Sequence, residues 1–139
     1  MKKILVALVV FMAVCIGARG ADVVWFDGQH PITYQMPKDV EPVVMTALEM
    51  WKDDMQQVTG VEPVASDKAT IRIMHEPTLT ADGFRIYVKG GQVIVEGGNG
   101  RGMAYGLLEL SRLAGVSPWI WWGDVVPEKK DRLVMSEDL

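Results

Sequence analysis

The stretch Phe84-Arg85-Ile86-Tyr87-Val88-Lys89-Gly90-Gly91-Gln92-Val93-Ile94-Val95-Glu96 decides the fold. Phe84, Ile86 and Val88 alternate with Arg85, Tyr87 and Lys89, a period of two that sends successive side chains to opposite faces of a strand. Gly90-Gly91 is a two-residue turn of the kind that joins antiparallel strands, where both central residues need positive φ. Fixing that turn fixes the register: Val88 faces Val93, Ile86 faces Val95, Tyr87 faces Ile94 and Arg85 faces Glu96. One face of the hairpin is then wholly apolar and calls for a cover of helices. The other is mixed, suited to solvent or to a second layer.

Helices lie on both sides of the hairpin. Downstream, after Gly97-Gly98-Asn99-Gly100-Arg101-Gly102, the spacing predicts a helix from about Arg101 to Ala114, ended by Gly115. Met103, Leu107, Leu110 and Ala114 form its apolar stripe, with Ala104 and Leu108 beside it. Upstream, Thr70 to Met74 reads as a buried strand. Before it a helix is capped by Asp39, carries Pro42 in its first turn and stops at Gly60. Its stripe is Val44, Leu48, Trp51, Met55 and Val58, at steps of four, three, four and three. Val23 to Phe26 is a short strand followed by the turn residues Asp27-Gly28, and Ile32 to Tyr34 extends or restarts it. The expected fold class is α/β, of the α+β-like kind: a small mixed β-sheet with a β-hairpin and two helices packed on one face.

The first twenty residues read as an export signal rather than as fold. Lys2 and Lys3 precede an apolar run from Ile4 to Ile16, and Ala18-Arg19-Gly20 places small residues where a signal peptidase cuts, before Ala21. The run is short for a bilayer span, which needs about 20 apolar residues. Lipid attachment at Cys15 is disfavoured because Val14 stands where that motif has a small residue. The expectation is a secreted or periplasmic single domain, residues 21–139, of 139 − 20 = 119 residues. Cleavage removes Lys2, Lys3 and Arg19, so 14 − 3 = 11 basic residues face 18 acidic ones, a formal charge of −7. Such a domain has no basic footprint for nucleic acid or for an anionic membrane. Cys15 leaves with the signal, so neither an internal disulfide nor a cysteine metal site is expected.

Few residues carry the marks of chemistry, and no cofactor is expected. The glycine cluster follows a strand and opens a helix, where anions bind. Met103, however, stands where a dinucleotide motif needs its third glycine and where a phosphate loop needs lysine. Tight turns and close helix–sheet packing account for those glycines better. His30 and His75 have no second histidine at helical spacing, and Leu79 occupies the second-histidine position of a helical metalloprotease motif. No metal site is expected. Ser66, Ser111, Ser117 and Ser136 lack a nucleophile-elbow context. Asp124 and Glu128 are the carboxylates nearest to a hydrolytic pair, yet a solvated turn explains them far better.

Pro118-Trp119-Ile120-Trp121-Trp122 is the unusual stretch, with three of the five tryptophans in four residues. Tryptophan faces stack on sugar rings, and tryptophan also anchors interfaces. The packing expectation is that Trp119 and Trp121 close the core or an interface while Trp122 is partly exposed. Trp119, Trp121, Trp122 and Asp124 are therefore the candidate contacts to carbohydrate or to a partner domain. No catalytic residue is assigned.

The run Gly102-Met103-Ala104-Tyr105-Gly106-Leu107-Leu108-Glu109-Leu110, continuing as Gly115-Val116-Ser117-Pro118-Trp119-Ile120-Trp121-Trp122-Gly123-Asp124-Val125, resembles glycoside hydrolase family 115, the xylan α-1,2-glucuronidases. The strand, glycine turn, strand and helix around Tyr105-Gly106-Leu107 resemble the small α/β domain that precedes the catalytic barrel in hexosaminidases and α-glucuronidases. The likeness is good from about Asp82 to Lys130 and looser from Val24 to Glu76. Gly123 stands where alanine is expected, and Val126 and Glu128 alter the usual run before Lys129 and Lys130. The resemblance implies that the catalytic acids lie in a following barrel. A (β/α)₈ barrel takes about 250 residues and does not fit in this chain. The implied role is an exported, non-catalytic domain of polysaccharide degradation, with a polysaccharide, an oligosaccharide or a catalytic barrel as partner. A small stand-alone carbohydrate-binding protein or glycoside hydrolase, and a remnant without a partner, are the alternatives.

Overall fold

The computed structural model describes residues 21–136, apart from Asp124 and the side chain of Trp121. The export segment read in residues 1–20 lies outside them. In order, the elements are β1 (Val23–Phe26), β2 (Thr33–Gln35), α1 (Pro42–Thr59), β3 (Val64–Ala65), β4 (Ile71–His75), β5 (Phe84–Lys89), β6 (Gln92–Gly97), α2 (Gly100–Leu113), a 3₁₀ helix (Pro118–Trp121) and β7 (Leu133–Met135). Five strands form one mixed sheet in the order β3-β2-β4-β6-β5.

The hairpin register is the one the sequence dictates: Val88 with Val93, Tyr87 with Ile94, Ile86 with Val95 and Arg85 with Glu96. Gly90 and Gly91 both adopt positive φ, 59° and 74°, as the turn requires. β4 runs parallel to β6 and to β2, and β2 parallel to β3, so only β5 reverses the sheet. β1 does not continue into β2. It pairs antiparallel with β7 as a separate two-stranded sheet, with an irregularity between Val24 and Phe26.

The helices cover one face of the five-stranded sheet. In α1 the stripe Val44, Leu48, Trp51, Met55 and Val58 is buried, and Trp51 meets Tyr34 of β2 edge-on, with ring centroids 5.8 Å apart. α1 ends at Gly60 in the left-handed conformation. Its start differs from expectation. Glu41 is the N-cap residue and makes no side-chain cap, Asp39 lies two positions upstream of it, and the first turn is set by Pro42.

α2 approaches the sheet closely. A Cβ at Gly97 would overlap the Met103 amide, and one at Gly106 would lie 2.5 Å from Val95 Cγ1. The glycine cluster is therefore a helix–sheet contact. The opposite sheet face is less open than its mixed composition suggests. Ile94 is buried between its register neighbours Arg72 and Tyr87, and Glu96 is buried beneath Arg85 and Tyr87, whose hydroxyl donates to Glu96 Oε1 at 2.7 Å.

Candidate functional site

Two places in this scaffold invite a ligand, and the first is closed. The α2 N-terminus, the natural anion site, is filled from within the chain. Glu41 Oε1 accepts from the Gly100 amide at 3.1 Å, and Asn99 Oδ1 accepts from the Gly102 amide at 2.8 Å. Asn99 Nδ2 in turn donates to Asp82, which also pairs with Arg101. With the Gly100 and Gly102 amides taken and its dipole met by a carboxylate, this end has little left for phosphate.

The second place lies where α1, α2 and the 3₁₀ helix meet. Ser117 caps the 3₁₀ helix by accepting from the Trp119 amide, and Pro118 sets its first turn. Trp119 is 67 % exposed and Trp122 is 84 % exposed, so neither closes the core. This corrects the packing expectation for Trp119. The tight 3₁₀ winding, about three residues per turn, turns Ile120 inward instead. Asp124 and the Trp121 side chain lie outside the described residues. Glu128 is exposed, and Val125 and Val126 add apolar surface nearby in sequence.

Beside Ile120 a groove of about 260 Å³ opens between the helices, walled by Met50, Leu108, Val116 and Pro118. At its floor stand Asp54 of α1 and Ser111 of α2, both buried. A second hollow of about 180 Å³ shares Met50, Asp54 and Ile120 and adds Asp53 and Gln57. Burial pushes the Asp54 carboxyl above the ordinary carboxylate range, and the neighbouring Asp53 charge adds to the push. The nearby Ser111 hydroxyl works against that shift. Its Oγ lies outside hydrogen-bonding geometry with every described residue.

Asp54 escaped the sequence reading, and Ser111 entered it only as a serine without a nucleophile-elbow context, although a signal existed. Asp54 falls three residues after Trp51 and Ser111 four after Leu107, so each interrupts an apolar stripe. A polar residue on a buried stripe is the informative exception.

The remaining candidates play structural parts. His30 pairs with Asp27 at 2.7 Å, while the Asp27 carboxylate accepts from the Gln29 and His30 amides and is held well below the usual range by those bonds. His75 Nε2 lies 3.1 Å from the Gly98 carbonyl oxygen. Among the described residues no group of three His, Cys, Asp or Glu side chains is placed to hold a metal ion.

The site is thus a mainly apolar groove on a small α/β scaffold, with exposed tryptophans on the segment that supplies Pro118 and Ile120. A family GH115 4-O-methyl-α-glucuronidase with specificity for decorated arabinogalactans superposes with a TM-score of 0.77 at 29 % identity, over 84 % of this chain. The chain is similar to part of a GH115 glucuronidase. It spans 18 % of that protein's length, so the match is to a domain-sized portion of a larger molecule. A GH20 exo-β-N-acetylglucosaminidase from Vibrio harveyi shares the fold at 15 % identity and a TM-score of 0.52, over 66 % of this chain and 14 % of its own. The same enzyme with N-acetylglucosamine bound gives 13 % identity and 0.51, over 70 % and 14 %. No protein-family model matches the sequence, and no curated protein matches it. The chain is thus a glycoside-hydrolase-related domain, and its mixed α/β architecture is the expected one.

Proposed function

We propose that this chain is an exported accessory domain of polysaccharide degradation, not itself catalytic, which docks onto a glycoside hydrolase catalytic domain through the groove beside Trp119 and Trp122. The observation that carries the reading is the exposure of both tryptophans on the segment whose Pro118 and Ile120 line an apolar groove. Indole surface left in water on a small acidic domain is the signature of an interface whose partner is elsewhere. The similarity to 18 % of a GH115 enzyme supports a catalytic domain as that partner. The glycan served would be a uronic-acid-decorated polysaccharide, glucuronoxylan or a decorated arabinogalactan. Secretion or release to the periplasm would follow from residues 1–20 acting as a signal peptide.

Calorimetric titration tests this. The chain is added to a GH115 glucuronidase from which the matching portion has been deleted. Docking predicts a one-to-one complex, weakened at least about tenfold by Trp119→Ala or Trp122→Ala, the scale of an interface anchor. Absence of a complex, with uronic acid released from glucuronoxylan by the chain alone, overturns it.

A second reading has one observation in its favour: two exposed indoles are also a sugar-stacking platform. Quenching of tryptophan fluorescence by xylo-oligosaccharides, without any protein partner, would favour it.

A further inference from the structure

The docking reading leaves the chemistry of the groove unexplained, and its polar floor narrows what the partner must present. Two carboxylates, Asp53 and Asp54, stand at one end, and neither has an ion-pair partner among the described residues. The nearby cations are committed elsewhere. Lys52 reaches Glu62 at 2.9 Å and Glu49 at 3.5 Å, and Arg112 holds Glu109 through both Nε and Nη2. Ser111 is 4 % exposed, lines the groove and leaves its Oγ without a partner among the described residues. The rest of the lining is mainly apolar, with Ser117 and the Glu109-paired Arg112 as its other polar members and Gln57 beside Asp53. A buried carboxylate and an unmet hydroxyl at the floor of an apolar trough are costly unless a donor arrives from outside.

We propose that the Asp53/Asp54 end of the groove receives a lysine or arginine side chain of the docking protein. Its alkyl stem lies across Met50 and Ile120, and its charged head reaches Asp54 and Ser111. A long basic side chain matches both halves of the trough, since its stem covers apolar surface while its head seeks polar groups. Arginine suits the site best, because its several donors can serve a carboxylate and a hydroxyl together. The proposal rests on the docking reading and deepens it by naming the partner residue. A sugar is the poorer occupant, because Met50, Leu108, Val116, Pro118 and Ile120 present apolar surface where a pyranose presents hydroxyls all round.

The test is an amide-shift NMR titration of the chain with the capped peptide acetyl-Leu-Arg-Leu-amide. A second titration uses the same peptide with citrulline, which keeps the shape of arginine and removes its charge. The expected result is shifts at Met50, Asp53, Asp54 and Ser111, with the arginine peptide bound about tenfold more tightly. Asp54→Asn should abolish that preference and leave the remaining spectrum in place. Equal affinity for both peptides overturns the proposal, as do shifts confined to other surfaces. So do shifts at the groove that follow protein concentration alone, which would make the occupant a second copy, or that appear with glucuronoxylan oligosaccharides instead. If Asp54→Asn fails to fold, the comparison of the two peptides on the unaltered chain still decides. Undiminished capture of the GH115 catalytic portion by Asp54→Asn would sink this proposal while docking itself stands.

Discussion

The four tryptophans whose side chains are described divide into two pairs that the chain treats oppositely. Trp25 and Trp51 are buried at 4 % and 0 % exposure, while Trp119 and Trp122 stand at 67 % and 84 %. Trp51 sits on a helical stripe, with Ala47, Leu48 and Met55 as apolar neighbours at steps of three and four and Asp54 the one polar exception, so its burial is dictated locally. Trp119 and Trp122 bracket a single 3₁₀ turn after a helix has ended, where no periodicity commits them to the core. Burial of an aromatic thus follows the element that carries it, and its exposure signals work done with something outside the fold.

Stability measurements break or sharpen that contrast. Trp51→Ala should cost about 3–5 kcal/mol in denaturant unfolding, as removal of a large core side chain does. Next comes the helix–sheet contact that fixes the core. Gly106→Ala places a methyl against Val95 and should cost about 1–3 kcal/mol by calorimetry, with the midpoint falling accordingly.

Asp54→Asn should act in the opposite direction. Burial raises the folded-state carboxyl above its unfolded value, so the protein is favoured with Asp54 protonated. The native chain loses stability as pH rises from below the unfolded value through the raised folded value. The variant should match it in acid and exceed it at neutral pH by about 1 kcal/mol, read as a pH series of melting curves. A variant less stable than the native chain at neutral pH would mean that Asp54 has a partner within the fold. Smallest of all, Trp122→Ala should change stability by less than about 0.5 kcal/mol while weakening docking. A large loss would place Trp122 in the core.

Much of the scaffold was legible in the sequence because two local rules agree there. Alternation from Phe84 to Glu96 and the glycine pair between fix the register without any tertiary information. The helical stripes likewise named most of the apolar side chains that the two helices bury. What escaped was non-local. β7, Leu133–Met135, is a three-residue strand whose partner, β1, lies at the other end of the chain, and nothing in Leu133-Val134-Met135 points there. The mixed face, open in the sequence to solvent or to a second layer, buries Ile94 and Glu96, with Arg85 and Tyr87 bonded to the Glu96 carboxylate. The site was half legible. The tryptophan run drew attention to the right segment, but the side of the 3₁₀ turn that faces inward depends on a helix meeting it from another part of the chain. Asp54 was readable as an interruption of the Trp51 stripe, though only the facing Ser111 gives that interruption a meaning.

The most direct test of the docking account reads the tryptophans themselves. Indole N–H signals recorded by NMR report each tryptophan separately, before and after adding the GH115 catalytic portion or a glucuronoxylan oligosaccharide. The account predicts that Trp119 and Trp122 shift with the protein and not with the sugar, while Trp25 and Trp51 stay in place. Shifts of Trp119 and Trp122 with the sugar alone, and none with the protein, would contradict it.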